Sequence, residues 1–78
     1  MTRYEQILAD HAADPQKWAY FEQQGYIAPT CLIRARLVAA YYEVYAECGV
    51  KARAIKEAGT RHGYRNRNTI RTAIRELS

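Results

Sequence analysis

Arg67, Arg71 and Arg75 recur at every fourth position near the end of a 78-residue chain, with no acid between them. On a helix such side chains lie one above another, and like charges at that spacing destabilise it unless an anion is shared. At roughly 100° per residue, Asn68, Arg71, Thr72 and Arg75 fall within about a third of the helix circumference. These four side chains can read base edges. Arg offers a two-pronged donor to guanine, Asn pairs with adenine, and Thr meets a base edge or the thymine methyl.

Phosphate-binding candidates surround that set. Arg65, Asn66 and Arg67 stand just ahead of the helix, where free amides and the positive end of the dipole favour anions. Lys51, Arg53, Lys56 and Arg61 lie one helix earlier and suit the flanking backbone. His62 stands alone among bases, as a phosphate contact or a cation at a helix C-terminus. Tyr64, between Gly63 and Arg65, has two readings. Its ring could stack on an unpaired base, which points to RNA or single strands. More often such a residue packs into its turn or offers its hydroxyl to a phosphate. In this scheme phosphate contacts set register and the Asn68–Arg75 face reads sequence.

Charge is distributed accordingly. Residues 51–78 hold eight of the twelve Lys and Arg side chains against two acids, a balance of +6 in a chain whose net charge is +4. The first 50 residues therefore carry −2. A compact basic block is the electrostatic footprint of a phosphate-binding surface. A basic helix can also be merely solvated, but such a face is usually laced with Glu at i,i+4. An acidic protein surface is the other anionic partner that the block would fit.

The elements that must position these residues read as an all-α, single-domain bundle of about five helices. A first helix over Thr2–Ala12 carries Tyr4, Ile7, Leu8 and His11 on one face. Asp14-Pro15 opens a second as N-cap and first-turn proline. It buries Trp18 and Phe21 and stops near Gln24-Gly25. Residues 1–28 hold four acids against two bases, so this pair is expected to stay off nucleic acid and is free for a protein partner. A third helix from Ala28-Pro29-Thr30 to Cys48-Gly49 is apolar on most sides, which makes it the central core helix or a dimer seam. Lys51–His62 forms a fourth. A fifth opens at Asn66 or Asn68, with Ile70, Ala73, Ile74 and Leu77 as its buried stripe.

Residues 51–77, about a third of the chain, resemble the helix-turn-helix of small bacterial and phage transcription regulators. The resemblance rests on Gly59, a small residue four before the turn glycine Gly63, and on Ile70 and Ala73 at buried positions of the second helix. Gly stands at 59 where Ala is more common, and the stretch from Gly63 to Ile70 is about one residue longer than usual. The resemblance implies base reading by Asn68, Arg71, Thr72 and Arg75, and phosphate contacts by Arg65 and Arg67. The expected function is sequence-specific double-stranded DNA binding in transcription regulation, of phage or mobile-element type given the chain's brevity. Two half-sites on a duplex would need a homodimer, formed through the central or N-terminal helices. The alternative is a non-enzymatic interaction or inhibitor module docking on an acidic protein.

Other classes find little support. Cys31 and Cys48 lie 17 residues apart on one helix, roughly 25 Å, beyond disulfide reach. They read as small buried hydrophobes. His11 near Asp10 and Asp14 lacks a further ligand at metal spacing. Glu43 and Glu47 could share a divalent cation but more often form a solvated stripe. No phosphate-cradling loop, paired-cysteine cluster or serine-based motif is present, so neither catalysis nor a cofactor is expected. The N-terminus lacks the layout of a signal peptide, and no apolar run reaches membrane-spanning length. A soluble, cytoplasmic chain is expected.

Overall fold

Thr2 and Glu5 cap one another at the start of the first helix in the computed structural model, which describes all 78 residues. Glu5 N donates to Thr2 Oγ1 at 3.4 Å and Thr2 N to Glu5 Oε1 at 3.1 Å. This reciprocal pair satisfies two otherwise orphaned amides and launches α1, Arg3–Ala13. Asp14 caps α2, Pro15–Gln23, by accepting from Lys17 N at 3.0 Å, with Pro15 in the first turn. Then follow α3 (Thr30–Cys48), α4 (Lys51–His62) and α5 (Arg67–Leu77), with no strand. The all-α bundle of five helices expected from the sequence is observed. No helix is long and apolar enough to cross a membrane.

α3 is the hub, packed against α1, α4 and α5. It buries Ala35, Leu37, Val38, Ala40, Tyr41 and Val44, and its partners supply Ile7, Ile55, Ile70 and Leu77 to the same core. α3 is therefore the central core helix. Ile33 is the one large apolar side chain it leaves exposed. Its tyrosines extend the packing outward. Tyr41 stacks on Tyr45 at 5.9 Å, and Tyr42 stacks on Tyr4 of α1 at 5.6 Å. The Tyr42 hydroxyl donates to Ser78 Oγ at 2.7 Å, just past the end of α5.

α2 lies at the margin, close only to α1 among the helices, and Trp18 is its single buried residue. Phe21, expected in the core, is half-buried. With one helix beneath it, α2 lacks a second wall to enclose the ring. Its ring meets those of Tyr20 and Tyr26 instead, at 6.0 and 6.1 Å. Cys31 and Cys48 are free thiols near opposite ends of α3, half-buried rather than fully enclosed.

The junction of α4 and α5 sets the orientation of the basic end. Gly63 adopts the left-handed conformation (φ 75°) that ends α4. Tyr64 N then turns back to donate to the Gly59 carbonyl at 2.8 Å. A Cβ on Gly59 would stand 2.6 Å from the Tyr64 carbonyl oxygen and 2.7 Å from Ile70 Cδ1. Glycine at this position thus has a steric cause. The turn crosses α4 so closely that only glycine fits.

Candidate nucleic-acid interface

Asn66 settles where α5 begins. Its side-chain carbonyl accepts from Asn68 N at 2.9 Å, so Asn66 is the N-cap and Asn68 lies inside the first turn with its amide side chain free. Capping occupies Asn66 Oδ1 and leaves its NH2 group as the donor toward an anion.

α5 is held from one side by the core and on a flank by a single ion pair. Ile70, Ala73 and Leu77 are buried. Arg34 on α3 reaches Glu76 at 2.7 Å, and that hydrogen bond, followed by the guanidinium charge, holds the Glu76 carboxyl below its usual pKa. Ile74, expected in the buried stripe, is half-buried, because it faces the groove toward α4. The face opposite the core then carries Asn68, Arg71 and Arg75 in the open and Thr72 half-buried. The structure thus brings all four expected base-reading residues to one outward surface. Thr72 is the most constrained of them. Its hydroxyl donates to the Asn68 carbonyl at 2.8 Å, leaving its lone pairs and methyl for a ligand.

The nine expected phosphate-binding residues divide by environment. Arg53 pairs with Glu57 at 3.1 Å, and Arg61 lies 3.9 Å from Glu43 of α3. Both pairs are exposed, and such pairs contribute about 0–1 kcal/mol, so a phosphate can displace either carboxylate. Lys51, Lys56, Arg65, Arg67, Arg71 and Arg75 have no carboxylate within 4.0 Å. Tyr64 is half-buried against the core, the packed arrangement rather than a free stacking platform. His62 is half-buried in the last turn of α4.

Two concavities lie between α4 and α5 and meet at Ile55. Toward the turn, a cleft of about 540 Å³ is lined by Lys56, Thr60, Arg65 and Arg67 around Gly59 and Gly63. Toward the other end, a groove of about 420 Å³ is lined by Lys51, Arg71 and Arg75 with Tyr41, Ala52 and Ile74. Cationic side chains thus follow the α4–α5 seam from end to end. Tyr41 is the residue that sequence reasoning missed. It sits on α3, between 10 and 34 positions before its groove neighbours on α4 and α5, a separation that no local sequence pattern spans.

The remaining titratable groups assemble nothing comparable. No group of three or more His, Cys, Asp or Glu side chains is placed to hold a metal ion. His11 packs edge-on to the Trp18 ring at 6.0 Å, and the Trp18 indole N–H donates to Glu22 at 3.0 Å. No protein-family model matches the chain, and comparisons with curated proteins and with solved structures find no similar protein.

Proposed function

We propose that this protein binds double-stranded DNA through α4, the turn and α5, working as a helix-turn-helix with α5 in the major groove, and that it regulates transcription. The observation that carries the reading is the outward face of α5. Asn68, Arg71, Thr72 and Arg75 share it, and neither arginine forms an ion pair with a carboxylate. A purely solvated surface gains nothing from repeated unpaired arginines, whereas a polyanion relieves their repulsion. The α4–α5 seam adds cations on which phosphates can set register, as sequence-reading proteins require.

Two half-sites related by two-fold symmetry call for two copies of the chain. The apolar surface of α3 is largely used inside the bundle. The exposed Tyr20 and Tyr26, at α2 and the segment after it, support pairing through the N-terminal helices. Sedimentation with and without duplex tests this, and a strictly monomeric profile in both counts against it.

The test of DNA binding is fluorescence anisotropy of a labelled random-sequence duplex over a salt series. Each neutralised phosphate contributes about −0.9 to the slope of log K against log salt. A slope equivalent to several phosphates establishes the interaction. Undetectable binding at low salt removes it and leaves the basic surface to an acidic protein partner.

A further inference from the structure

The groove at the far end of the α4–α5 seam combines an uncapped helix start, three cationic side chains and a tyrosine. α4 begins at Val50 without a side-chain cap, so the amides of Lys51, Ala52 and Arg53 have no hydrogen-bond partner. Such amides and the positive end of the helix dipole attract anions. Lys51, Arg71 and Arg75 line the same groove, none with a carboxylate within 4.0 Å.

Tyr41 supplies an independent pointer to a ligand. The residue is 6% exposed, and its hydroxyl bonds no protein atom, unlike that of Tyr42, which donates to Ser78. No side-chain oxygen or nitrogen in the chain is wholly buried without a partner. The Tyr41 hydroxyl must therefore reach solvent, and the groove is the opening its residue lines. Burial, with Tyr42 and Tyr45 alongside, raises its pKa, so the group remains a hydrogen-bond donor at neutral pH.

We infer that the uncapped start of α4, Lys51, Arg75 and the Tyr41 hydroxyl form a phosphate-oxyanion site that holds one backbone phosphodiester of the DNA. This rests on the DNA-binding reading and refines it. Arg75 moves from base reading to backbone anchoring, and Arg71, at the boundary between groove and outward face, stays with Asn68 as a reader. From Arg67 to Arg75 the helix rises roughly 12 Å, comparable to the width of the major groove. Contacts at the two ends of α5 can thus engage the two strands that border one groove.

The test titrates the full ¹⁵N-labelled chain with inorganic phosphate and, separately, with a random-sequence duplex. The site is supported if both shift the amides of Lys51, Ala52 and Arg53. Tyr41→Phe, which keeps the ring, should weaken the phosphate response about threefold to tenfold, the range for losing one ordinary hydrogen bond in a site open to water. The exposed Arg75→Ala should bind every duplex more weakly and lower the salt slope by about one. Duplex binding with those amides unmoved overturns the site and leaves the DNA reading standing. Phosphate shifts without duplex binding keep the anion site and overturn its DNA ligand. Silence toward both removes both.

Discussion

The Tyr64 carbonyl oxygen lies 2.6 Å from the point where Gly59 would carry a Cβ. Replacing Gly59 by Ala raises helix propensity by about 1 kcal/mol, but the new methyl meets backbone, which cannot rotate away as a side-chain tip can. Ile70 Cδ1, at 2.7 Å, blocks the other side. Overpacking at well-filled sites costs about 1–3 kcal/mol. The net expectation for Gly59→Ala is a less stable protein with α5 displaced from α4, read as a lower urea midpoint and weaker duplex binding. An unchanged or raised midpoint would show that the turn can shift without cost.

Ile70 tests the same junction from within. Its side chain is 2% exposed and packs in the core shared with α3 and α4. Ile70→Ala should lose about 2–5 kcal/mol of stability, the range for emptying a buried aliphatic site. In a chain this short, that is enough to leave a substantial unfolded fraction at room temperature, visible in the helical circular-dichroism signal.

How far the sequence exposed this arrangement depends on how local each signal is. The stripe of α5 was legible because i, i+3, i+4, i+7 spacing is a property of one segment, and three of its four members are buried. The centrality of α3 was legible because a helix with few polar positions has to be surrounded. Gly59 could be recognised as a departure from the usual residue, but its cause depends on how closely the turn crosses α4. Arg53 and Glu57 announce their pairing by i,i+4 spacing, whereas Arg61 and Glu43 meet only once α4 packs on α3. Tyr41 could not be assigned to a site from the sequence, since its groove is assembled from three helices.

The pair of Arg34 and Glu76 gives a pH dependence with a definite sign. The hydrogen bond from Arg34, then its charge, lowers the Glu76 pKa in the folded chain. A carboxyl whose folded pKa is depressed adds stability above the unfolded pKa and loses it as pH falls through the folded value. Glu5, lowered by its bonds to Thr2, acts in the same direction. Urea midpoints should therefore fall between neutral pH and about pH 3, and Glu76→Gln should flatten part of that fall. A variant with the parent's full pH profile would show that the pair adds nothing to stability.

Arg71 and Arg61 should differ in kind as DNA contacts. Arg71 lies on the outward face of α5, while Arg61 sits on α4 beside Glu43 at 3.9 Å. Arg71→Ala should cost about 1–3 kcal/mol at the preferred sequence and relax discrimination there, whereas Arg61→Ala should weaken all duplexes alike. The comparison needs a preferred site from selection and anisotropy on that site beside a random duplex. Equal losses on both duplexes for both variants would remove Arg71 from the reading set.

Glu43 offers the converse experiment, a substitution expected to strengthen binding. Its carboxylate competes with any phosphate for Arg61 and adds a negative charge near the basic surface. Both side chains are exposed, so removing the charge should leave the fold intact. Exposed pairs of this kind are held by no more than about 1 kcal/mol, which limits the gain from Glu43→Gln to about fivefold. The gain should be largest at low salt and fade as ionic strength rises, since screening weakens the attraction and the competition together. Anisotropy of the same random duplex at two salt concentrations measures it. Tighter binding at low salt only would place Arg61 within reach of the DNA backbone. Unchanged affinity at both would move the backbone away from this part of α4, toward the Lys51 end of the seam.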